Sequence, residues 1–135
     1  MFECVSVTET AAEKLVGLTR RTAMILAGLS RDPAPTLVRH IYDLHAVRDH
    51  IDKTAAIDLA RQIAQKDAEE FKNQYPAYHA DIAVETRKAV QAWLTEPDRR
   101  TLYDNFVAAM VYGEAADFGT AMTTVAGLAN VAWPA

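Results

Sequence analysis

The sequence predicts a mainly α protein, a bundle of about six helices preceded by one short strand. Three observations lead there. Apolar residues recur at three- and four-residue intervals over most of the 135 residues. Proline and glycine interrupt that pattern repeatedly, at Gly28, Pro33, Pro35, Pro76, Pro97 and Gly113. The stretch Phe2-Glu3-Cys4-Val5-Ser6-Val7-Thr8 alone reads as β-prone, giving one strand over 2–8. A single strand cannot make a sheet. It must pair with something outside the chain, pair with a second copy through residues 2–8, or lie along the helices as an extended arm.

Thr8 or Thr10 is placed to cap the first helix, with Glu13 completing a capping box three residues after Thr10. That helix runs from about residue 11 to 26, buries Leu15, Leu18 and Ile25, and ends at Gly28. The prolines of Ser30-Arg31-Asp32-Pro33-Ala34-Pro35 make a loop. Thr36 then caps a second helix over about 37–51, whose buried face is Leu37, Ile41, Leu44 and Val47. A third helix starts at Thr54 and runs over about 55–74, until Tyr75-Pro76 breaks it; Lys66, Asp67, Glu69, Glu70 and Lys72 form its wet face. A fourth, about 80–95, buries Ile82, Ala89, Val90 and Trp93. Pro97 opens a fifth, about 98–112, with Leu102, Phe106, Val107 and Met110 inward and Gly113 closing it. The sixth, about 116–131, is poor in charge and carries Phe118, Met122, Val125 and Leu128, as the most central helix would.

Half of the residues are hydrophobic and 24% are charged, the profile of a globular chain rather than a disordered one. The length suits one domain, residues 1–135, with a core of its own. No apolar run approaches the roughly 20 residues that span a bilayer, and the N-terminus lacks the basic start and apolar core of a secretory signal. The only cysteine, Cys4, excludes an internal disulfide and fits a reducing, cytoplasmic setting. Nothing nearby supports it as a catalytic thiol. The net charge is −4, and its acidic excess falls entirely after residue 50. Bulk attraction to nucleic acid is therefore unfavourable, while the neutral first part leaves room for a local contact.

The polar residues that invite chemistry gather on the second helix. Arg39, His40, Asp43 and His45 surround the buried face of Thr36–His45. A carboxylate beside an arginine and histidines suits a helix-borne polar site; an ordinary i,i+4 pair between Arg39 and Asp43 is the simpler account. His40, His45 and His50 are five residues apart, about 140° of rotation per step, so they share no face and cannot form a histidine-only metal site. His45 and Asp49 have ligand spacing but lack a third member. Lys14, near the start of the first helix as read above, is unfavourably placed against the helix dipole unless a phosphate binds there.

The order of these features resembles the later part of the AbiEii/AbiGii-type nucleotidyltransferase toxins, a branch of the DNA-polymerase-β-like nucleotidyltransferases. Glu13-Lys14-Leu15 on a helix is followed by Arg39-His40-Ile41-Tyr42-Asp43-Leu44, as in the family's glutamate-lysine-leucine and arginine-His/Asp-x-tyrosine-aspartate-leucine segments. Lys66-Asp67-Ala68-Glu69-Glu70-Phe71 with Tyr75-Pro76 is similar to its charged helix ending in aromatics. Tyr103, Met110, Tyr112-Gly113 and Phe118 are similar to its closing helices. The resemblance implies Lys14 as the residue on the nucleotide's phosphates, Asp43 as the later active-site aspartate and Arg39 beside them. It implies nucleotidyl transfer from an NTP with Mg²⁺, onto tRNA in some members, and an antitoxin as partner. The family's metal-binding carboxylates lie in an acid-x-acid pair after a glycine–glycine/serine turn, and this chain has no such turn. The resemblance therefore implies the C-terminal helical part of such a protein, inactive alone and needing a separate N-terminal half.

Two other readings stand beside that one. In one, the helices are an interaction module for an antitoxin, an N-terminal half or a second copy. In the other, an unrelated bundle binds a small molecule among Tyr42, Trp93, Phe106 and Met110, residues that more often are core.

Overall fold

The computed structural model describes residues 2–29, 34–110 and 117–134. Within them the chain forms seven helices: α1 (Phe2–Leu26), α2 (Ala34–Ala46), α3 (Lys53–Glu70), α4 (Pro76–Ala80), α5 (Ile82–Thr95), α6 (Pro97–Met110) and α7 (Phe118–Ala132). The mainly α class is as expected. The extra element, α4, is one short turn that starts at the proline expected to break the third helix.

Residues 2–8 are not a strand; they are the opening turns of α1. The reason is visible in the burial pattern. Thr8, Ala11, Ala12, Leu15, Val16, Leu18, Thr19, Thr22 and Ala23 are all buried and follow a helical stripe that already includes residue 8. Against that stripe the β-propensity of Val and Thr is a weak bias, with no sheet to join. Pairing of two copies through an edge strand at 2–8 loses its basis, and Thr8 and Thr10 are interior positions, not caps. Thr8 Oγ1 instead accepts a hydrogen bond from the Asp52 amide at 3.3 Å, tying α1 to the turn before α3.

Helix ends follow local chemistry. Gly28, at φ 77°, closes α1 with paired bonds from Gly28 N to Ile25 O (3.0 Å) and Leu29 N to Met24 O (2.9 Å). The helix α2 begins two residues before Thr36, with Pro35 in its first turn. Asp52, Asp81 and Asp117 cap α3, α5 and α7 through side-chain bonds to the amides of Ala55, Val84 and Thr120. The loop at 30–33, Tyr112 and Gly113 lie outside the described residues, as do the side chains of Cys4 and Met110.

Two helices organise the core. The helices α2, α3 and α5 each pack against both α1 and α7, while α6 covers α2, α5 and α7. Leu37, Ile41 and Leu44 of α2 and Met122 and Val125 of α7 are completely enclosed. Trp93 donates from Nε1 to Thr22 Oγ1 at 2.8 Å, which joins α5 to α1 and satisfies the buried indole. Trp93 and Tyr103 both pack on Phe118, the first tilted and the second edge-on, and Tyr42 meets Phe106 edge-on at 5.8 Å. Tyr42, Trp93 and Phe106 are therefore packed against neighbours and line neither of the two cavities described below. Met110, the fourth residue of the small-molecule reading, has its side chain outside the described residues.

Candidate functional site

Lys14 and Asp43 stand 29 residues apart in sequence and meet between α1 and α2, with Lys14 Nζ 2.9 Å from Asp43 Oδ2. The side chains are 25% and 29% exposed, so the pair is reachable from solvent but partly shielded. Its position follows from two burial stripes. Leu15 and Leu18 turn one face of α1 inward, and Ile41 and Leu44 do the same for α2. Lys14 and Asp43 then fall at the edge of the contact between the two helices. A cavity of about 140 Å³ adjoins them, lined also by Val7, Thr10, Ala11 and Val47.

The first reading of Lys14 needs one correction. With α1 starting at Phe2, Lys14 is well inside the helix, so no helix N-terminus contributes a field beside it. The group here with the charge to meet an anion is the ammonium itself. Asp43 takes one of its three donors, which leaves donors for a further oxygen ligand.

Arg39 lies one turn before Asp43 on α2. It is exposed and forms no ion pair with a described residue; the i,i+4 pair with Asp43 is replaced by Lys14–Asp43. His40 lies behind the pair, its Nε2 3.9 Å from where a side chain on Gly17 would begin. Burial, then the charges of Lys14 and Arg21, hold its pKa down to about 4 against the opposing pull of Asp43. Its Nδ1 is buried without a hydrogen-bond partner among the described residues. His40 is thus a neutral ring packed under a charged pair. His45 is half-buried, with Nδ1 2.7 Å from Thr124 Oγ1 on α7, and burial lowers its pKa. His50 is exposed.

The wet face assigned to α3 hides a pair that sequence reasoning missed. Arg20 Nε lies 3.0 Å from Asp67 Oδ2, with side chains 15% and 19% exposed. The guanidinium also sits 4.8 Å over the Phe71 ring. No spacing within one segment signalled it: six residues are about 600° of helix, so Arg20 lies roughly 120° round α1 from Lys14, and its partner is 47 residues away on α3.

Magnesium does not fit the described residues of this chain. Asp43 is a lone carboxylate already held by an ammonium, and no three His, Cys, Asp or Glu side chains among the described residues are grouped to hold a metal. Two acid-x-acid strings occur, Asp67-Ala68-Glu69 and Glu96-Pro97-Asp98, but neither follows a glycine turn. On α3 the members of the first diverge by about 200°. There Asp67 serves Arg20, and Glu69 serves Lys72 and His79.

The fold and the pair define a mainly α protein with a lysine–aspartate cleft between its first two helices. The sequence model of the nucleotidyl transferase AbiEii toxin family, of a type IV toxin–antitoxin system, matches residues 1–124. The chain belongs to that family. No curated protein and no solved structure matches it significantly. No helix among the described residues is long and apolar enough to cross a membrane.

Proposed function

We propose that these 135 residues supply the nucleotide-gripping helical part of a nucleotidyltransferase toxin. The observation that carries this reading is the 2.9 Å pair of Lys14 and Asp43 beside a cavity, in a chain of this family. Lys14 is the phosphate contact. Asp43, the later active-site aspartate, fixes the ammonium and keeps it aimed at the cleft. Arg39, on the same side of α2 by its four-residue spacing, adds a planar fork suited to phosphate oxygens. A nucleotide phosphate would take the exposed side of Lys14 while Asp43 holds the other.

The chain does not transfer nucleotides alone, since its residues do not fit the metal that nucleotidyl transfer uses. The metal-holding carboxylates come from a separate N-terminal half. Nucleotide and acceptor, tRNA among the candidates, are selected in that assembly, in the cytoplasm. An antitoxin is the partner class the family's system points to, and the remaining helical surface is where it or the N-terminal half would dock.

Calorimetric titration with each of the four NTPs tests the grip. Binding of at least one NTP is expected, with loss in Lys14→Ala and in Asp43→Ala. Binding that is equal in both variants and the parent chain would sink the assignment. Incubation with labelled NTP and tRNA is expected to leave the tRNA unlabelled, and transfer by this chain alone would refute its dependence on a second half.

A further inference from the structure

A second cavity, of about 300 Å³, opens between the start of α3 and the outer face of α7, away from Lys14 and Asp43. Its apolar lining includes Ile57, Leu128 and Val131. Two cations, Arg48 and Lys53, stand at its edge, and no carboxylate among the described residues lines it, in a chain whose net charge is −4. Lys53 forms no ion pair with a described residue, and it occupies the first turn of α3, where the helix dipole disfavours a cation. Arg48 donates from Nη1 to His45 O at 2.7 Å, which holds one corner of its guanidinium in place, and its Nε lies only loosely against the exposed Asp49, at 3.9 Å.

Part of the wall is bare backbone. Gly127 sits inside α7 and lines the cavity, and a Cβ built there would meet nothing within 4 Å. Glycine inside a helix costs about 1 kcal/mol relative to alanine. Neither close packing nor backbone conformation requires it here, since its φ is ordinary. What its missing side chain preserves is the open space itself.

We infer that this cavity is a binding site for a small amphipathic organic anion. Its acidic group sits between Arg48 and Lys53, and its apolar body lies on Ile57 and Leu128 across Gly127. Thr124, also on the wall, accepts or donates through its hydroxyl while bound to His45. The site is independent of the nucleotide cleft.

The probe is 8-anilinonaphthalene-1-sulfonate, compared with N-phenyl-1-naphthylamine, which has the same rings without the sulfonate. Fluorescence titration of the parent chain is expected to show one saturable site for the sulfonate and binding of the neutral amine at least about tenfold weaker. The Arg48→Gln/Lys53→Gln variant should lower sulfonate affinity about tenfold and leave the amine unchanged. Gly127→Leu should abolish both while raising, or at least not lowering, the melting temperature. That opposition separates a filled site from a damaged fold. Several weak sites, no saturation, equal affinity for the two probes, or full binding in Gly127→Leu would each overturn the assignment.

Discussion

Two charged pairs leave α1, and they differ in what surrounds them. Arg20–Asp67 is a clamp. Its planar guanidinium is engaged by Asp67, by Met24 Sδ at 3.3 Å and by the face of Phe71. Tyr78, entirely buried, lies close enough that Asp67 raises its pKa, after burial, and Arg20 opposes that rise. Lys14–Asp43 has a single bond, more solvent and a cavity at its side. A clamp with several contacts cannot release its arginine without stranding a half-buried carboxylate. A point-charge ammonium with spare donors can add a new partner at little cost. The same helix thus carries one pair suited to holding helices together and one suited to meeting a ligand.

The largest expected effect lies with the clamp. Arg20→Met should destabilise the fold by about 2–3 kcal/mol, read by urea denaturation, because Asp67 is left half-buried and unpaired. A loss no greater than that of Lys14→Met would erase the distinction between the two pairs.

His40 comes next. Its pKa is lowered by folding to about 4, so the unfolded chain binds more protons as pH falls below the ordinary value near 6.5. The neutral ring's contribution is therefore complete above that value and is lost progressively between about pH 6.5 and pH 4. Half-burial reduces the full linkage value, leaving roughly 1–2 kcal/mol, and His45 shifts in the same direction. Denaturation midpoints of the parent chain should drop across that window, and those of His40→Gln should drop less; parallel curves would remove the ring from the account.

Lys14→Met should change stability by under about 1 kcal/mol, since its pair is partly solvated, while removing NTP binding. Lys72→Ala, which breaks the exposed pair with Glu69, should leave the denaturation curve unmoved and serves as the baseline.

Much of this molecule was legible as a string of residues. Gly28, Pro76 and Pro97 mark real helix boundaries, because fixed or left-handed backbone angles act locally. The inward face Leu37, Ile41 and Leu44 was equally plain, since periodicity records burial directly. Residues 2–8 were misread because β-propensity is local and the stripe that overrides it becomes evident only when α1 is extended backwards. The meeting of Lys14 with Asp43 was suggested by their order within a family pattern; spacing alone favoured Arg39 as the partner of Asp43. The Arg20–Asp67 clamp and the cavity over Gly127 depend on which faces of α1, α3 and α7 come together, which no single segment encodes.

Arg61 has one more consequence. Its Nε and Nη2 donate to Ala132 O and Val131 O at 2.8 and 2.9 Å, so a cation on α3 fastens the final carbonyls of α7. Helix ends ordinarily fray and trade their amide protons with water quickly. Here fraying of α7 must also break a tertiary latch, so its last turn should exchange on the timescale of the core. That slow exchange would vanish in Arg61→Ala.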